Sequence, residues 1–205
     1  MAARRRTEMM EETRAKLLAA GRTAFALKGF ADASMDELTA GAGLTRGALY
    51  HNFGDKKGLL AAVVAQVDSE MAQRAQAMAA GAPSLWEALV AEGVAYVELA
   101  LDPEIQRIVL LDGPAFLGDP SRWPSQNACL EATRQKISRL QEEGILKPVD
   151  VEAAARLING AALNAALWVA ASDDPQTVLP KAIEALLCLL TGFLAPRSLA
   201  TADQD

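Results

Sequence analysis

One short stretch of the chain gathers most of the side chains suited to recognition chemistry: Thr45, Arg46, Gly47, Tyr50, His51, Asn52 and Lys56. The planar guanidinium of Arg46 can grip guanine O6 and N7 together, contact a phosphate, or pair with a surface carboxylate. Tyr50 joins an apolar ring to a polar tip, so it can be half-buried and still reach outward. Asn52 can donate to a phosphate or pair with an adenine edge. Lys56 follows Asp55, a capping residue, and would add its ammonium to the N–H groups of a helix start, an arrangement that attracts anions. Thr45 can cap a helix or offer its hydroxyl to an anion. Gly47 either lets backbone approach a partner closely or is merely tolerated near a helix start.

Catalytic constellations are missing. The single histidine, His51, excludes two-histidine chemistry, and no GxSxG, P-loop or GxGxxG motif is present. Cys129 and Cys188 have no paired spacing and read as reduced, buried thiols, so neither a metal site nor a cofactor is expected. Carboxylate pairs such as Glu142–Glu143 and Asp173–Asp174 fall at helix ends, where solvated charge explains them. The chain does not read as an enzyme.

The elements that would position these residues are helical. Hydrophobic residues make up 51% of 205 residues, enough for a sizeable core, and no run alternates with the period of a strand. A first helix is expected from about Thr7 to Lys28, with Leu17, Leu18 and Phe25 on its apolar stripe and Gly29 ending it. Ser34-Met35-Asp36-Glu37 has the form of a capping box and starts a second helix, whose Met35 and Leu38 face inward. Gly43 makes a tight turn, Leu44 plugs the core, and Thr45 caps a third helix, Arg46 to Phe53, with Leu49 and Phe53 buried. Two short helices joined this way form a helix-turn-helix. A fourth helix would run from Lys56 towards Ala79. Further helices are expected near 84–101, 103–116, 122–143, 151–171 and 176–194, with a break over 112–120.

Charge divides along the chain. Residues 1–60 hold ten Lys and Arg against seven acids, whereas residues 61–205 hold ten against nineteen, within a net charge of −6. A basic head on an acidic body suits contact between the head and a polyanion. Arg4–Arg6 can serve as a basic arm or simply be a solvated tail.

The run Gly29-Phe30, Ser34-Met35-Asp36-Glu37-Leu38 and Ala42 to Leu60 resembles the DNA-binding domain of the TetR (tetracycline repressor) family, over about residues 10–60. Asn52 departs from the pattern, because the residue before the Phe is commonly His. The resemblance implies that the third helix enters the major groove, with Arg46 as the candidate for direct readout. It also implies phosphate contacts from Tyr50 and Lys56, and leaves His51 to contact DNA backbone or a thymine methyl. Salt-sensitive affinity and a pseudo-palindromic double-stranded operator, read by a homodimer, follow.

The body is expected to dimerise through its last two helices, at Leu157, Ala161, Ala165, Ile183, Leu186, Leu187, Leu190 and Leu194, in a four-helix bundle. Trp86, Tyr96, Phe116, Trp123, Asn164 and Trp168 are candidate linings of a small-molecule cavity, although aromatics at helical spacing also serve as ordinary core. The few charges at the centre of the body point to an apolar effector of unknown identity.

The expected fold is therefore all-α, with about nine helices. A three-helix DNA-binding head spans 1–57, a helical ligand-binding and dimerisation domain 58–197, and a flexible tail 198–205. No segment reads as a signal peptide or membrane span, and the protein is expected to be cytoplasmic. Its function is read as a ligand-responsive transcriptional regulator, a repressor released by a small-molecule inducer. The competing reading is an all-helical interaction module that does not bind DNA.

Overall fold

A computed structural model describes the backbone of residues 2–196 and the side chains of residues 7–196. The Arg4–Arg6 side chains and the expected tail lie outside the described residues. No strand occurs among the described residues, apart from one isolated bridge between Leu146 and Leu194. Cα packing divides the chain into two units, Met1–Asp68 with Pro103–Pro120, and Ser69–Asp102 with the residues from Ser121 onward. The division falls later than residue 57, and a segment from the middle of the chain joins the head.

In the first unit α1 (Ala2–Asp32) passes through a kink at Gly29, whose φ of 79° favours glycine. The guanidinium of Arg107 also lies about 3.0 Å from where a Cβ would stand at Gly29. The helix therefore runs beyond Lys28, the expected end, by one further turn. The capping box at α2 (Met35–Gly41) forms in both directions: Glu37 N–H donates to Ser34 Oγ at 3.1 Å, and Ser34 N–H to Glu37 Oε2 at 3.3 Å. Gly43, at φ 65°, makes the turn into α3 (Arg46–Phe53), which Thr45 caps through its hydroxyl. Leu17, Phe25, Leu38, Leu49, Leu59 and Leu60 are fully buried and hold α1, α2, α3 and the start of α4 (Lys56–Ala79) around one core.

The inserted segment is one continuous helical run with an irregular middle: α6 (Pro103–Ile105), a π-helical stretch Gln106–Asp112, and α7 (Gly113–Leu117). Counted as one helix it brings the described total to the nine expected. The sequence led to a break at 112–120. Helix instead continues to Leu117, with Pro114 placed where the π-helical stretch gives way to α7. The run ends at Gly118, with φ 89°. It is tied to α1 by a two-bond ion pair, Arg22 to Glu104 at 2.7 Å, and by the Phe30 N–H donating to Asp112 Oδ2 at 2.6 Å. The Phe30 and Phe116 rings also meet, with centroids 4.4 Å apart.

The second unit is a bundle of α5 (Leu85–Glu98), α8 (Pro124–Glu142), α9 (Val151–Ala171) and α10 (Pro175–Thr191), together with the end of α4. α5, α8 and α10 all pack on α9, whose buried Ala154, Ala155, Ala162, Ala166 and Ala170 allow close approach. By length and composition α9 is the one described helix able to cross a membrane. Its packing on three neighbours makes it the central helix of this bundle.

Candidate nucleic-acid interface

The turn at Gly43 sets α3 against α2 so that only Leu49 of α3 is fully buried. Thr45, Arg46, Gly47, Tyr50 and His51 are exposed, and Tyr50 keeps 56% of its surface accessible. Tyr50 therefore lies outside the buried core of the unit. Gly47 is similar: a Cβ built there would meet only Thr45 Oγ1, at 3.7 Å, so nothing inside the chain requires glycine.

Arg46 is already engaged. Its Nε donates to Asp36 Oδ1 at 2.7 Å and its Nη2 to Asp36 Oδ2 at 2.6 Å, across the turn between α2 and α3. The guanidinium holds the Asp36 carboxyl below its ordinary range, and the carboxylate raises Arg46 in return. Both groups stay exposed, so solvent screens the pair.

Lys56 is half-buried. Its Nζ donates to the Ala31 carbonyl at 3.3 Å and lies 4.5 Å from the centre of the Phe30 ring. Lys57 beside it is exposed. Asn52 turns back on its own helix, with Nδ2 donating to the Ala48 carbonyl at 2.8 Å. Its own carbonyl accepts from Arg14 Nη1 at 3.0 Å, and the Arg14 guanidinium sits 4.4 Å above the Phe53 ring. Arg14 thereby fixes the end of α3, a role its place in α1 did not advertise. Asp36 escaped notice for a similar reason. Its position in a capping box explained it locally, and the partner lies ten residues on.

In the second unit a cavity of about 60 Å³ lies among α4, α5, α8 and α9. Leu89 and Ile158 give it an apolar wall, and Glu92, Tyr96, Thr133 and Asn159 a polar one. Glu92 pairs with Lys136, and the Thr133 hydroxyl lies 2.9 Å from Asn159 Oδ1. Of the six aromatic and amide candidates, only Tyr96 lines this cavity. Phe116 packs in the first unit, Trp86 and Trp123 are half-buried, and Asn164 and Trp168 are exposed on α9.

The burial pattern divides the expected dimer residues into two groups. Leu186, Leu190 and Leu194 are already buried within the chain at 2%, 2% and 5% exposure, although Leu190 still lines the floor of a groove between α9 and α10. Ile183, Ala161 and Ala165 are intermediate, whereas Leu157 and Leu187 remain open. Leu189, on the opposite side of α10 from Leu186 and Leu190, is 60% exposed. An apolar groove between α9 and α10 is lined by Leu157, Gly160, Ala161, Leu189 and Phe193. The helix rotates its stripe this way because Leu186 and Leu190, four apart, both turn towards the bundle.

An exposed third helix carrying Arg46, Tyr50 and His51 at the end of a tight helix-turn-helix defines a DNA-binding regulator with a separate helical body. Residues 17–63 match the family model described as bacterial regulatory proteins, tetR family, and residues 86–193 that of the tetracyclin repressor-like C-terminal domain. The chain belongs to the TetR family, whose members are transcriptional regulators and not enzymes. A TetR-family regulator from Pectobacterium atrosepticum has a crystal structure that superposes with a TM-score of 0.84 and 50% identity, covering 92% of this chain and 97% of that one. The transcriptional repressor AcnR of Corynebacterium efficiens is 27% identical over 143 residues, 68% of this chain and 73% of that protein. RolR, in complex with resorcinol, shares the fold with a TM-score of 0.66 and 20% identity, covering 87% of this chain and 89% of that one.

Proposed function

We propose that this regulator is a cytoplasmic repressor that binds a pseudo-palindromic operator as a homodimer and leaves it when a small molecule enters the body. The observation that carries the DNA reading is the exposed face of α3, where Arg46, Gly47, Tyr50 and His51 stand free of the core. Arg46 reads a base edge. Tyr50 contacts phosphate, and exposed Lys57 adds to the charge of Lys56 at the start of α4. One such helix makes few contacts, and two-fold pairing through the open face of α9 and α10 doubles them.

The effector site is the cavity lined by Leu89, Glu92, Tyr96, Thr133, Asn159 and Ile158. Its apolar wall suits the apolar body of a compact ligand, and its polar wall suits hydrogen-bonding groups on that ligand. Resorcinol, held by RolR, is a small ring with hydroxyls, and a ligand of that kind fits this lining. Pockets for small molecules usually enclose about 300–1,000 Å³. At about 60 Å³ the cavity must widen to admit one, and that widening supplies the conformational signal.

The test is duplex binding by the Arg46→Ala/Lys56→Ala double variant. The wild-type chain is expected to select one sequence from a random duplex library, and the variant to lose binding at physiological salt while keeping its circular-dichroism spectrum. Binding that survives in the variant refutes the site. Binding to no duplex at low salt by the wild-type chain favours the interaction-module reading.

A further inference from the structure

Resting on the reading that α3 binds DNA, we infer that Asp36 is a positioning residue for base recognition: it holds Arg46 by one edge and presents the other edge to guanine. A guanidinium has five N–H groups, two on each terminal nitrogen and one on Nε. Asp36 occupies the Nε and Nη2 edge, with both bonds short and nearly equal. The opposite edge, formed by Nη1 and the second hydrogen of Nη2, stays open, and it is itself a two-donor fork matched to guanine O6 and N7.

The pair does little else. Both partners are well exposed, at 59% and 73% of their side-chain surface, and exposed ion pairs add little to stability. The first turn of α2 already has Glu37 for its capping box. What the pair does accomplish is to hold a long side chain in one orientation before DNA arrives, which lowers the ordering cost of binding.

Asp36 also acts by repulsion. A carboxylate beside the reading helix disfavours every nearby phosphate, whatever the sequence. It therefore weakens non-specific binding, and only a guanine contact made by Arg46 offsets the loss. Specificity is a difference of affinities, and Asp36 increases it from both sides.

The test compares wild type, Asp36→Asn and Arg46→Ala by selection from random-sequence duplexes, followed by titration of the selected duplex and of unselected random duplex. Arg46→Ala marks the base pair that Arg46 reads. At that pair the wild-type chain is expected to prefer guanine by about 5- to 150-fold, the range of a two-bond contact. Asp36→Asn is expected to reduce the preference to about threefold or less, and to bind random duplex several-fold more tightly. Asp36→Ser, which keeps a helix-start residue, is expected to repeat both effects with an unchanged Tm. An unaltered guanine preference in both Asp36 variants overturns the inference while leaving DNA binding by α3 intact. Equal weakening on all sequences in Arg46→Ala overturns it too, because Arg46 is then a phosphate contact. A wild-type chain that selects no sequence removes both this inference and the proposed function.

Discussion

Gly47→Ala separates a glycine kept for the fold from one kept for a partner. The added methyl would sit 3.7 Å from Thr45 Oγ1, an ordinary van der Waals distance, and meet nothing else. Gly47 lies in the first turn of α3 and its φ is not positive, so alanine fits the backbone without strain. Alanine is better than glycine in a helix by up to about 1 kcal/mol, and less near a helix end. For a chain of 205 residues each kcal/mol moves Tm by roughly 2–4 °C. Tm is therefore expected to stay level or rise by up to about 4 °C. Duplex affinity is expected to fall at least about tenfold, the equivalent of 1.4 kcal/mol, because the methyl enters space needed for the close approach of backbone to DNA. Thermal melting and fluorescence anisotropy on one preparation read both numbers. A fall in both Tm and affinity would refute the reasoning, since Gly47 would then serve the fold. Unchanged affinity with a raised Tm would refute it differently, by placing Gly47 away from the duplex.

Gly58→Ala is expected to do the opposite. A Cβ there would stand 1.9 Å from the Phe53 carbonyl oxygen, so the backbone must shift, with a loss of about 1–3 kcal/mol and a Tm fall of roughly 2–12 °C. Leu189→Asp is expected to leave helical content unchanged, since Leu189 is 60% exposed, while raising the dimer dissociation constant about 100-fold or more by sedimentation. Acid unfolding tests the capping box. Lys28 foremost, then the Ser34 N–H, hold Glu37 below its ordinary value of 4.5. A depressed carboxylate contributes stability that is present above that value and lost as pH falls through the lowered one. Glu37→Gln is expected to flatten that part of the pH–stability curve and leave the rest unchanged.

The head was legible because its signals are local. Ser34 and Glu37 cap within one turn, Gly43 makes the turn, and Leu38 and Leu49 lie at core positions that a helical period identifies. α3 occupies the expected Arg46–Phe53 range for that reason. The Asp36–Arg46 pair was not legible, because it joins two helices across a turn whose angle the sequence does not state. The same limit applied to Arg14, whose contacts to Asn52 and Phe53 are far away in sequence. In the body, apolar residues cover most of α10, so periodicity marked a buried helix without saying which side meets a partner. Leu186 and Leu190 took the inner side and Leu189 the outer. The cavity lining was harder still. Trp168 and Asn164 are large or polar residues on a predicted helix, yet their orientation follows from the small alanines that turn the other face of α9 inward. The attachment of 103–120 to the head depends on Glu104, Asp112 and Phe116, each an ordinary residue until its partner in α1 is known.

Methylation protection of guanine N7 on a selected duplex tests most directly whether α3 reads DNA in symmetric pairs. Arg46 is expected to shield two guanines on opposite half-sites, about 10 base pairs apart or a multiple of that, and Arg46→Ala to expose both. Guanines equally reactive with and without the protein, or a single unsymmetric patch that persists in Arg46→Ala, would contradict it.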